Sequence, residues 1–497
     1  MTAPRPRIVV TLAARSVAEA RAQIDRAARS GADAAELRVD RLAPGELSAI
    51  PSLFPSPIPL VATYRSRAEG GGGEDDGAAR RPILTALARA PFRWLDLELA
   101  RDLGTLPDLP PIEAIGRIVS SHLRELGGER WLARLRELEE VDGIGKLVVP
   151  ATVDELLRTI VPRLGPGGEE LVVHTTGPSG PLLRGWARRF GFPLVYASLP
   201  EEDGALAVEP SQIPVDRLRP YLDADEPAPL FAVVGRPVAH SRSPALHADW
   251  MRATGDVGLY VPIELRDERE FLDALGPLAA GGFRGLNVTH PYKAVAFEAA
   301  TELGRAAAAC GTVNCLTFEH DAVLGENTDL VAILRRFEEL LRAGRWDGRR
   351  VTVVGAGGAA RATVAAAREL GAQPTICARR PEAARELAGT LGAFATPAAE
   401  AAAAPLLVHA TPVGRDAGAR LDPPIGPLVA RGGHVIDWVY DPDDPAVRAA
   451  AEGAGASYED GRRLLVYQAA ASYALWWGHP PSPEAVARAL PEDPWPA

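Results

Sequence analysis

The sequence has few cysteines and no excess of positive charge. Three of its 497 residues are cysteines, and 54 basic residues are outnumbered by 65 acidic ones, for a formal charge of −11. Cys310, Cys315 and Cys377 have no metal-site spacing, and so low a count suits a reducing compartment. An acidic balance argues against a nucleic-acid binder, which usually presents a basic face. It leaves open a pocket with local arginines for small anionic molecules.

Long apolar runs are also absent. No stretch reaches the roughly 20 apolar residues that span a bilayer, and the N-terminal "MTAPRPRIVVTLAARS" is interrupted too early by Arg15 to resemble a secretory signal. We expect a cytoplasmic protein, and the short N-terminus favours a bacterial over a plant source. Its partners should be small molecules, with neither nucleic acid nor membrane, and a homodimer is left open. The chain is too long for one core, so two or three domains are expected.

Strand-like runs recur through the first 200 residues and alternate with helix-like segments. They cover residues 7–13, 34–40, 58–65, 94–99, 116–123, 143–150, 170–177 and 193–199. Eight such repeats predict a (β/α)₈ barrel, with an open doubly wound sheet as the alternative. "EGGGGEDDG" (69–77) is interpreted as a mobile loop after the third strand, with a role as a lid left open. A joint rich in Pro and Asp, at 221–235, ends this pattern.

Charged residues occupy the ends and alternate positions of these runs. Alternate residues of a strand share a face, and the chemistry of such barrels lies at the C-terminal ends of the strands. The set is either a buried ion-pair network or a site in which a desolvated lysine beside a histidine forms a Schiff base. Its members are Glu36, Arg38, Asp40, Arg65, Asp96, Glu98, His122 and Lys146.

The motifs "GADAAELRVD", "WLDLEL", "IVSSHL" and "GIGKLVVP" resemble the type I 3-dehydroquinate dehydratases over about residues 5–220. That resemblance implies that Lys146 forms an imine with the C3 ketone of the substrate and that His122 transfers the protons. It also implies substrate contacts from Glu36, Arg38, Arg65, Arg184 and Gln212. One position departs from the family: Val208 stands where a hydroxyl residue is expected in "VEPSQ" (208–212). We therefore expect weaker substrate binding there.

A dinucleotide-binding signature opens the last third of the chain. "VVGAGGAARA" places Gly355, Gly357 and Ala360 between a strand-like run and an Ala-rich helix, in a G-x-G-x-x-A arrangement that lets the backbone approach a pyrophosphate. The next strand ends at Ala378-Arg379-Arg380, where a site for NAD usually has an acidic residue. Two arginines suit a 2′-phosphate, so NADP is favoured, with a solvated basic turn as the alternative.

Separated polar motifs surround this signature. "GRPVAHSRSPALH" (235–247), "LNVTHPYK" (286–293), "GTVNC" (311–315), "GENTDL" (325–330), "HATPVG" (409–414) and "GRRLLVYQAAASY" (461–473) could each be turn chemistry. Together they resemble shikimate dehydrogenase over about residues 230–485. That resemblance implies a catalytic pair, Lys293 and Asp329, beside the carbonyl to be reduced. Departures from the family are Leu330, Leu464 and Ala378.

The same resemblance supplies two further sets of residues. The implied substrate-binding residues are Ser241, Ser243, Thr289, Asn314, Tyr440 and Gln468. The implied cofactor-binding residues are Gly355, Ala356, Gly357, Gly358, Ala359, Ala378, Arg379, Arg380 and Gly461. No metal is expected, and His240 is expected only to shape the loop beside the serines.

The sequence therefore predicts a bifunctional enzyme. A (β/α)₈ dehydratase barrel (1–222) would be followed by a shikimate dehydrogenase unit. That unit would have a substrate domain (230–330, completed by helices in 461–490) and a Rossmann domain for NADP (331–460). The predicted reactions are dehydration of 3-dehydroquinate through a lysine imine and reduction of 3-dehydroshikimate to shikimate by NADPH. The alternatives are a second half that oxidises quinate with NAD, and a non-catalytic regulator built from the same domains.

Overall fold

The structure, a computed structural model, describes residues 5–111, 113–165, 170–200, 209–239, 241–412, 421–440 and 445–492. Val208 and His240 lie outside these ranges. The chain divides into two compact units, Met1–Leu230 with Val257–Gly281, and Phe231–Asp256 with Gly282–Ala497. The predicted limits of the domains stay predictions.

Eight parallel strands build the first unit, one in each predicted run. They are β1 (Arg7–Thr11), β2 (Ala34–Arg38), β3 (Leu60–Thr63), β4 (Trp94–Glu98), β5 (Gly116–His122), β6 (Ile144–Pro150), β7 (Leu171–Thr176) and β8 (Leu194–Ala197). Their order is β7-β6-β5-β4-β3-β2-β1-β8, and β1 pairs in parallel with both β2 and β8. The sheet therefore curls into a nearly closed barrel, which confirms the barrel over the open sheet.

Buried side chains bridge β7 and β8, the two ends of this strand order. We call this junction the seam of the barrel. The Tyr196 backbone N–H on β8 donates to His174 Nε2 on β7 (3.2 Å). Arg184 reaches both strands, because its Nε donates to the Tyr196 carbonyl (3.2 Å) and its Nη1 to the Thr175 carbonyl (3.0 Å). Burial, followed by the charges of Arg184 and Lys146, lowers the pKa of His174 well below its usual value. Its ring is therefore neutral and can accept the bond.

Helices follow most strands of the barrel. They are α1 (Val17–Arg29), α2 (Gly77–Ala88), α3 (Arg130–Glu139), the short α4 (Val153–Glu155), α5 (Gly180–Gly185) and α6 (Val215–Asp223). The sequence of α1 shows why such segments fold. Ser16 caps its N-terminus by accepting from the Glu19 N–H, and Val17, Ala20, Ile24 and Ala27 form a buried stripe at helical spacing.

The interior of the barrel has an apolar layer and a polar layer. The apolar layer contains Val9, Ala34, Val61, Trp94, Ile118, Val172 and Leu194, with the partly buried Ile144 packed against it, and Tyr196, two positions after Leu194, belongs to the same cluster. Two positions further along seven of the eight strands come buried polar residues: Thr11, Glu36, Thr63, Asp96, Ser120, Lys146 and His174. Because alternate residues of a strand share a face, the inward side chains change from apolar to polar toward the C-terminal ends of the strands. The chemistry-bearing residues therefore rest on a packed apolar base.

Strands and helices alternate again after the barrel. First come β9 (Leu230–Gly235) and α7 (Ser243–Thr254), then β10 (Leu259–Glu264) and α8 (Glu268–Ala280), which lie in the segment counted with the first unit. Next come β11 (Phe283–Val288), α9 (Lys293–Ala299), β12 (Glu302–Leu303), α10 (Arg305–Cys310), β13 (Cys315–Glu319), β14 (Ala322–Glu326) and α11 (Thr328–Arg342). Within the second unit β9, β11, β13, β14 and β12 are neighbours in that order, with β13 antiparallel to β11 and β14.

A parallel sheet of Rossmann type completes the second unit. Its strands are β15 (Arg350–Val354), β16 (Gln373–Cys377), β17 (Phe394–Ala395), β18 (Ala404–His409), β19 (Val429–Asp437) and β20 (Ser457–Glu459), in the order β17-β16-β15-β18-β19-β20. Its helices are α12 (Gly358–Glu369), α13 (Pro381–Leu391) and α14 (Pro445–Gly453), followed by α15 (Arg462–Trp477) and α16 (Pro483–Ala489). The strand order reverses at β15 and β18, the switch point where such sheets bind ligands. In the described part of the chain, no helix has both the length and the apolar character needed to cross a membrane.

Arg80 gives a prediction about the stability of the barrel. It is fully buried and forms two hydrogen bonds with the equally buried Asp102, at 2.7 and 2.8 Å. Arg80→Met should lower the free energy of unfolding by about 3–5 kcal/mol, because it leaves the Asp102 carboxylate buried and unpaired. Arg81→Met is the control, since the side chains of Arg81 and its partner Asp108 are half exposed and its loss should cost less than about 1 kcal/mol. Pulse proteolysis in urea measures both, and equal losses would contradict the prediction.

Candidate active sites

Lys146 lies inside the barrel on β6, with 3% of its surface exposed. Its Nζ donates to Asp96 Oδ2 (2.8 Å) and lies 3.7 Å from Glu36 Oε1. The ring of Tyr196 lies on the same amine, with its centroid 4.1 Å from Nζ. The lysine in the apolar strand is therefore held by two carboxylates and an aromatic face.

Asp96 joins this amine to the rest of the polar layer. Its Oδ1 accepts from Arg65 Nη2 (3.0 Å) and from the Ser120 hydroxyl (2.7 Å). Burial alone would raise the pKa of Asp96, but the charges of Arg65 and Lys146 outweigh it and lower that pKa to about 2. Asp96 is therefore a carboxylate at neutral pH and fixes both cations.

His122 ends β5 and pairs with Glu69, a residue that the sequence did not single out. Glu69 Oε2 accepts from the His122 backbone N–H (3.0 Å), lies 3.2 Å from His122 Nδ1, and accepts from Arg65 Nη1 (3.1 Å). Burial raises the pKa of Glu69 to about 7. Burial, with the charges of Arg65 and Lys146, lowers the pKa of His122 well below its usual value. Near pH 7 the imidazole is thus neutral. Its Nδ1 faces Glu69, and its Nε2 can accept a proton.

The glycine run after Glu69 explains how this carboxylate reaches the barrel. A Cβ on Gly71 would lie 2.2 Å from the Arg65 carbonyl oxygen, and one on Gly72 would lie 2.7 Å from that of Asp40. The Gly72 N–H also donates to Asp40 Oδ2 (3.0 Å). The predicted mobile loop therefore packs tightly against β3 and the turn after β2. Its glycines next to an acidic residue were the sequence signal for a folded loop that carries a site residue.

The other predicted residues of the first site have different surroundings. Glu36 accepts from the hydroxyls of Thr11 (2.9 Å) and Thr63 (2.8 Å), close to Lys146. Arg38 forms a two-pronged pair with Asp40, at 2.9 and 2.8 Å. Arg65 donates hydrogen bonds to Asp96, Glu69 and Ser120, and its predicted contact with substrate stays a prediction.

Arg184 and Gln212 lie near the seam and the loop that follows β8. Arg184 is 2% exposed, and besides the seam carbonyls its Nη1 contacts Ser211 Oγ (3.2 Å). Its Nη2 makes no hydrogen bond with any residue that the structure describes, and burial lowers the pKa of Arg184 to about 10 despite the opposite effect of Glu209. Gln212 Nε2 donates to Thr11 Oγ1 (3.1 Å), and its buried Oε1 has no partner among the described residues. Both side chains thus keep polar atoms available for a ligand.

Lys293 and Asp329 form the centre of the second site. Lys293 begins α9 and Asp329 lies in the first turn of α11, and Lys293 Nζ donates to Asp329 Oδ2 at 2.6 Å. Asn327 caps α11 by accepting from the Leu330 N–H, which fixes the turn that carries the aspartate. The Lys293 side chain is 20% exposed and that of Asp329 is 6% exposed. The amine is therefore anchored on its aspartate and still open to a ligand.

A hydrogen-bonded cluster supports this pair. Asn314 Oδ1 accepts from the Thr328 N–H (2.7 Å), and the hydroxyl of Thr328 lies 3.1 Å from that of Ser472. Asn287 Nδ2 donates to Ser472 Oγ (2.8 Å), and Ser472 lies one helical turn after Gln468 on α15. Thr328 thus joins the predicted Asn314 to Ser472, a residue that sequence reasoning missed. Ser472 Oγ donates to the backbone carbonyl of Gln468 (3.1 Å), whose side chain donates to the Leu465 carbonyl (3.0 Å).

The remaining predicted substrate residues lie at strand and helix ends. The Ser243 N–H at the start of α7 donates to Ser241 Oγ (3.3 Å). The Thr289 N–H, just after β11, donates to the Val234 carbonyl on β9 (2.9 Å). Tyr440 is half-buried after β19. The Thr289 carbonyl accepts from the Tyr292 N–H (3.0 Å) in the turn before Lys293, and the roles of these residues stay predictions.

The glycine turn between β15 and α12 has the shape that a dinucleotide needs. Gly355 has φ +124°, and a Cβ there would lie 2.6 Å from the Ala410 carbonyl oxygen. Gly357 caps α12 with open space around it, whereas a Cβ on Gly358 would lie 2.9 Å from Lys293 Cδ. Half-buried Ala356 and Ala359 complete the turn. The bare helix N-terminus therefore faces open space close to Lys293, which fits a bound pyrophosphate.

Two exposed arginines follow β16. The side chains of Arg379 and Arg380 make no hydrogen bond or ion pair with any other described residue, and Ala378 before them is half-buried. Gly461 caps α15, where a Cβ would lie 2.4 Å from the Trp438 carbonyl oxygen. The arginines thus keep their charge available for a phosphate, while Gly461 is required by close packing.

Comparison with known proteins identifies both halves. Residues 8–228 match the family model of type I 3-dehydroquinase, and residues 233–316 match that of the shikimate dehydrogenase substrate binding domain. Shikimate dehydrogenase (NADP(+)) of Acidiphilium cryptum is 37% identical over 261 residues, which are 51% of this chain and 92% of the relative. That of Anaeromyxobacter dehalogenans is 39% identical over 273 residues, 52% of this chain and 95% of the relative.

Solved structures of similar proteins cover one half or both. Shikimate 5-dehydrogenase of Thermus thermophilus, in complex with NADP(H) and shikimate, is 34% identical, with a TM-score of 0.46 over 53% of this chain and 100% of its own. Dehydroquinate dehydratase and shikimate dehydrogenase from S. pombe AroM covers 98% of both chains, at 22% identity and a TM-score of 0.44. From the family matches and the relatives in sequence, the chain belongs to the shikimate dehydrogenase family and carries a type I 3-dehydroquinase domain ahead of it.

Proposed function

We propose that this chain catalyses two consecutive reactions at two separate sites. The first unit dehydrates 3-dehydroquinate to 3-dehydroshikimate through an imine on Lys146. The second unit reduces 3-dehydroshikimate to shikimate with NADPH, aided by Lys293 and Asp329. The substrates are small molecules, and the homodimer considered from the sequence stays a prediction.

The use of lysine in the sequence carries this proposal. Two of the 54 basic residues are lysines, Lys146 and Lys293, and all the others are arginines. A guanidinium stays protonated in proteins and cannot form an imine, whereas an amine can lose its proton. The chain thus keeps lysine at one position in each half, each time hydrogen-bonded to an aspartate. These are the two positions at which the proposed reactions need an amine.

In the first reaction Lys146 releases one proton, and its neutral amine attacks the C3 carbonyl. The released proton returns as the carbonyl oxygen leaves as water, so that a protonated imine remains. The protonated imine withdraws electrons and makes the adjacent C–H acidic. His122 Nε2 takes that proton, because Glu69 occupies the other ring nitrogen. The same imidazolium then protonates the departing hydroxyl, and water hydrolyses the imine to release the product and Lys146.

Substrate binding in the barrel would use polar atoms that bond to none of the described residues. Arg184 is a buried cation whose Nη2 is unbonded among the described residues, and a substrate carboxylate would give it a counter-charge. Buried Gln212 Oε1 can accept from a substrate hydroxyl. Glu36 and the pair of Arg38 with Asp40 supply further polar contacts for hydroxyls.

In the second reaction Lys293 donates a proton to the alkoxide that develops on the reduced carbonyl. Asp329 fixes the position of Nζ by its 2.6 Å hydrogen bond. Bound NADPH would supply the hydride. The glycine turn would hold its pyrophosphate at the N-terminus of α12, and Arg379 and Arg380 would pair with its 2′-phosphate.

Replacement of each lysine in turn should separate the two activities. Lys293→Ala should leave dehydration of 3-dehydroquinate unchanged and lower the reduction of 3-dehydroshikimate by about 10²–10⁴-fold, the usual worth of a positioned proton donor. Lys146→Ala should abolish dehydration and leave the reduction intact, so each variant is the control for the other. The absorbance of the enone product and of NADPH measures the two rates. A fall of both activities in either variant would contradict the proposal of two sites.

The pair of Glu69 and His122 predicts the pH dependence of dehydration. The pKa of Glu69 is about 7, so kcat should rise through about pH 7 as Glu69 becomes the carboxylate that accepts from His122 Nδ1. The lowered pKa of His122 keeps its ring neutral over this range. Glu69→Gln should be roughly tenfold slower at pH 8 and nearly independent of pH between about 6 and 8. Glu74→Gln, on an exposed ion pair of the same loop, is the control. An inflection near pH 7 that survives Glu69→Gln would count against this account.

A further inference from the structure

Tyr196 presents its ring to the reacting amine of the first site. The ring centroid lies 4.1 Å from Lys146 Nζ, and the two residues are 4% and 3% exposed. A cation over an aromatic face is attracted by the negative charge of that face, and more strongly where water is excluded. The ring can therefore stabilise a positive charge on Nζ.

The seam of the barrel fixes this ring through its own backbone. The Tyr196 N–H donates to His174 Nε2, and the Tyr196 carbonyl accepts from Arg184 Nε, both at 3.2 Å. On its other side β8 pairs with β1, where Tyr196 faces Val9 in the register. Both peptide groups of Tyr196 are thus held by buried side chains from β7 and α5. The position of the ring is set by the closure of the barrel.

The hydroxyl of Tyr196 does not explain why an aromatic residue stands here. It is buried and has no hydrogen-bond partner among the described residues. Burial, with the charges of Glu36 and Asp96, raises the pKa of Tyr196 well above its usual value, so the phenol is neutral. A buried hydroxyl without a partner destabilises a fold. The ring, and not the hydroxyl, makes the contact with Lys146.

We propose that Tyr196 is a positioning residue for dehydration: its ring face holds Lys146 Nζ and stabilises the positive charge of the protonated imine. The inference rests on the proposed imine at Lys146. In the free chain Nζ is shared between Asp96 and the ring. Once Nζ is bonded to substrate carbon, the ring still covers it and favours the protonated imine, which is the electron-withdrawing form. Loss of the negative ring face should therefore lower kcat and leave KM for 3-dehydroquinate nearly unchanged.

Graded fluorination of the ring tests this without a change of shape. Tyr196→Phe, Tyr196→4-fluorophenylalanine and Tyr196→3,4,5-trifluorophenylalanine keep the ring while fluorine progressively weakens its negative face. Tyr196→Phe should retain kcat within about twofold, and the trifluoro variant should lose about tenfold, as expected for a buried contact of this kind. KM should stay within about twofold throughout the series.

Phe192 provides the matched control. It is a buried aromatic residue of the same segment, and its ring packs edge-on against His174, with centroids 6.4 Å apart. Phe192→3,4,5-trifluorophenylalanine should leave kcat unchanged. Equal kcat in Tyr196→Phe and its trifluoro counterpart, or an equal loss at Phe192, would overturn the inference. Dehydration that survives Lys146→Ala would instead overturn the imine itself, so the two failures are distinguishable.

Discussion

The carboxylate of Asp96 is the interaction on which the first site depends. It is buried, it stays ionised, and it accepts from Lys146 on β6, from Ser120 on β5 and from Arg65 just after β3. Without it Lys146 would keep only Glu36, at 3.7 Å, and Arg65 would lose one of its carboxylate partners. A buried cation that loses its counter-charge costs several kcal/mol. Arg65 in turn holds Glu69, and Glu69 holds His122. One carboxylate therefore sets the distances between the amine and the proton carrier.

The second unit repeats the pairing of lysine with aspartate at a helix start instead of inside a barrel. Two buried ion pairs elsewhere in the chain use arginine. Arg80 forms two hydrogen bonds with Asp102, at 2.7 and 2.8 Å, and Arg336 forms two with Glu459, both at 2.8 Å. A guanidinium suits such two-pronged contacts and never needs to lose its proton. The chain thus uses arginine for ion pairs and anion binding, and lysine only at the two positions where the proposed reactions need an amine.

The periodicity of the sequence was enough to predict the barrel strands and the charged face of the site. Alternation places Glu36, Asp96 and Lys146 on the inner face, and the glycine turn at Gly355 is required by its positive φ and its contact with Ala410. Contacts that depend on folding in three dimensions were not predictable. Glu69 reaches His122 across 53 positions because a glycine run folds over Arg65.

The seam shows the same limit for single residues. Arg184 was predicted only as a contact for substrate, yet it also bridges β7 and β8 by donating to one backbone carbonyl on each strand. The spacing of residues in the sequence does not show that these two carbonyls lie within reach of one side chain. Tyr196 reads in the sequence as one more apolar strand position. Its value as a face for Lys146 depends on the width of the barrel and on the position of the seam, and neither is written in a local pattern.

The central claim is that the chain forms a covalent imine at one lysine and uses the other for proton donation. Borohydride reduction in the presence of 3-dehydroquinate, followed by peptide mass mapping, tests it directly, because the chain has only two lysine side chains in which to find the adduct. The account predicts a reduced adduct on Lys146 and none on Lys293. An adduct on Lys293, or an active dehydratase that gives no adduct at all, would contradict it.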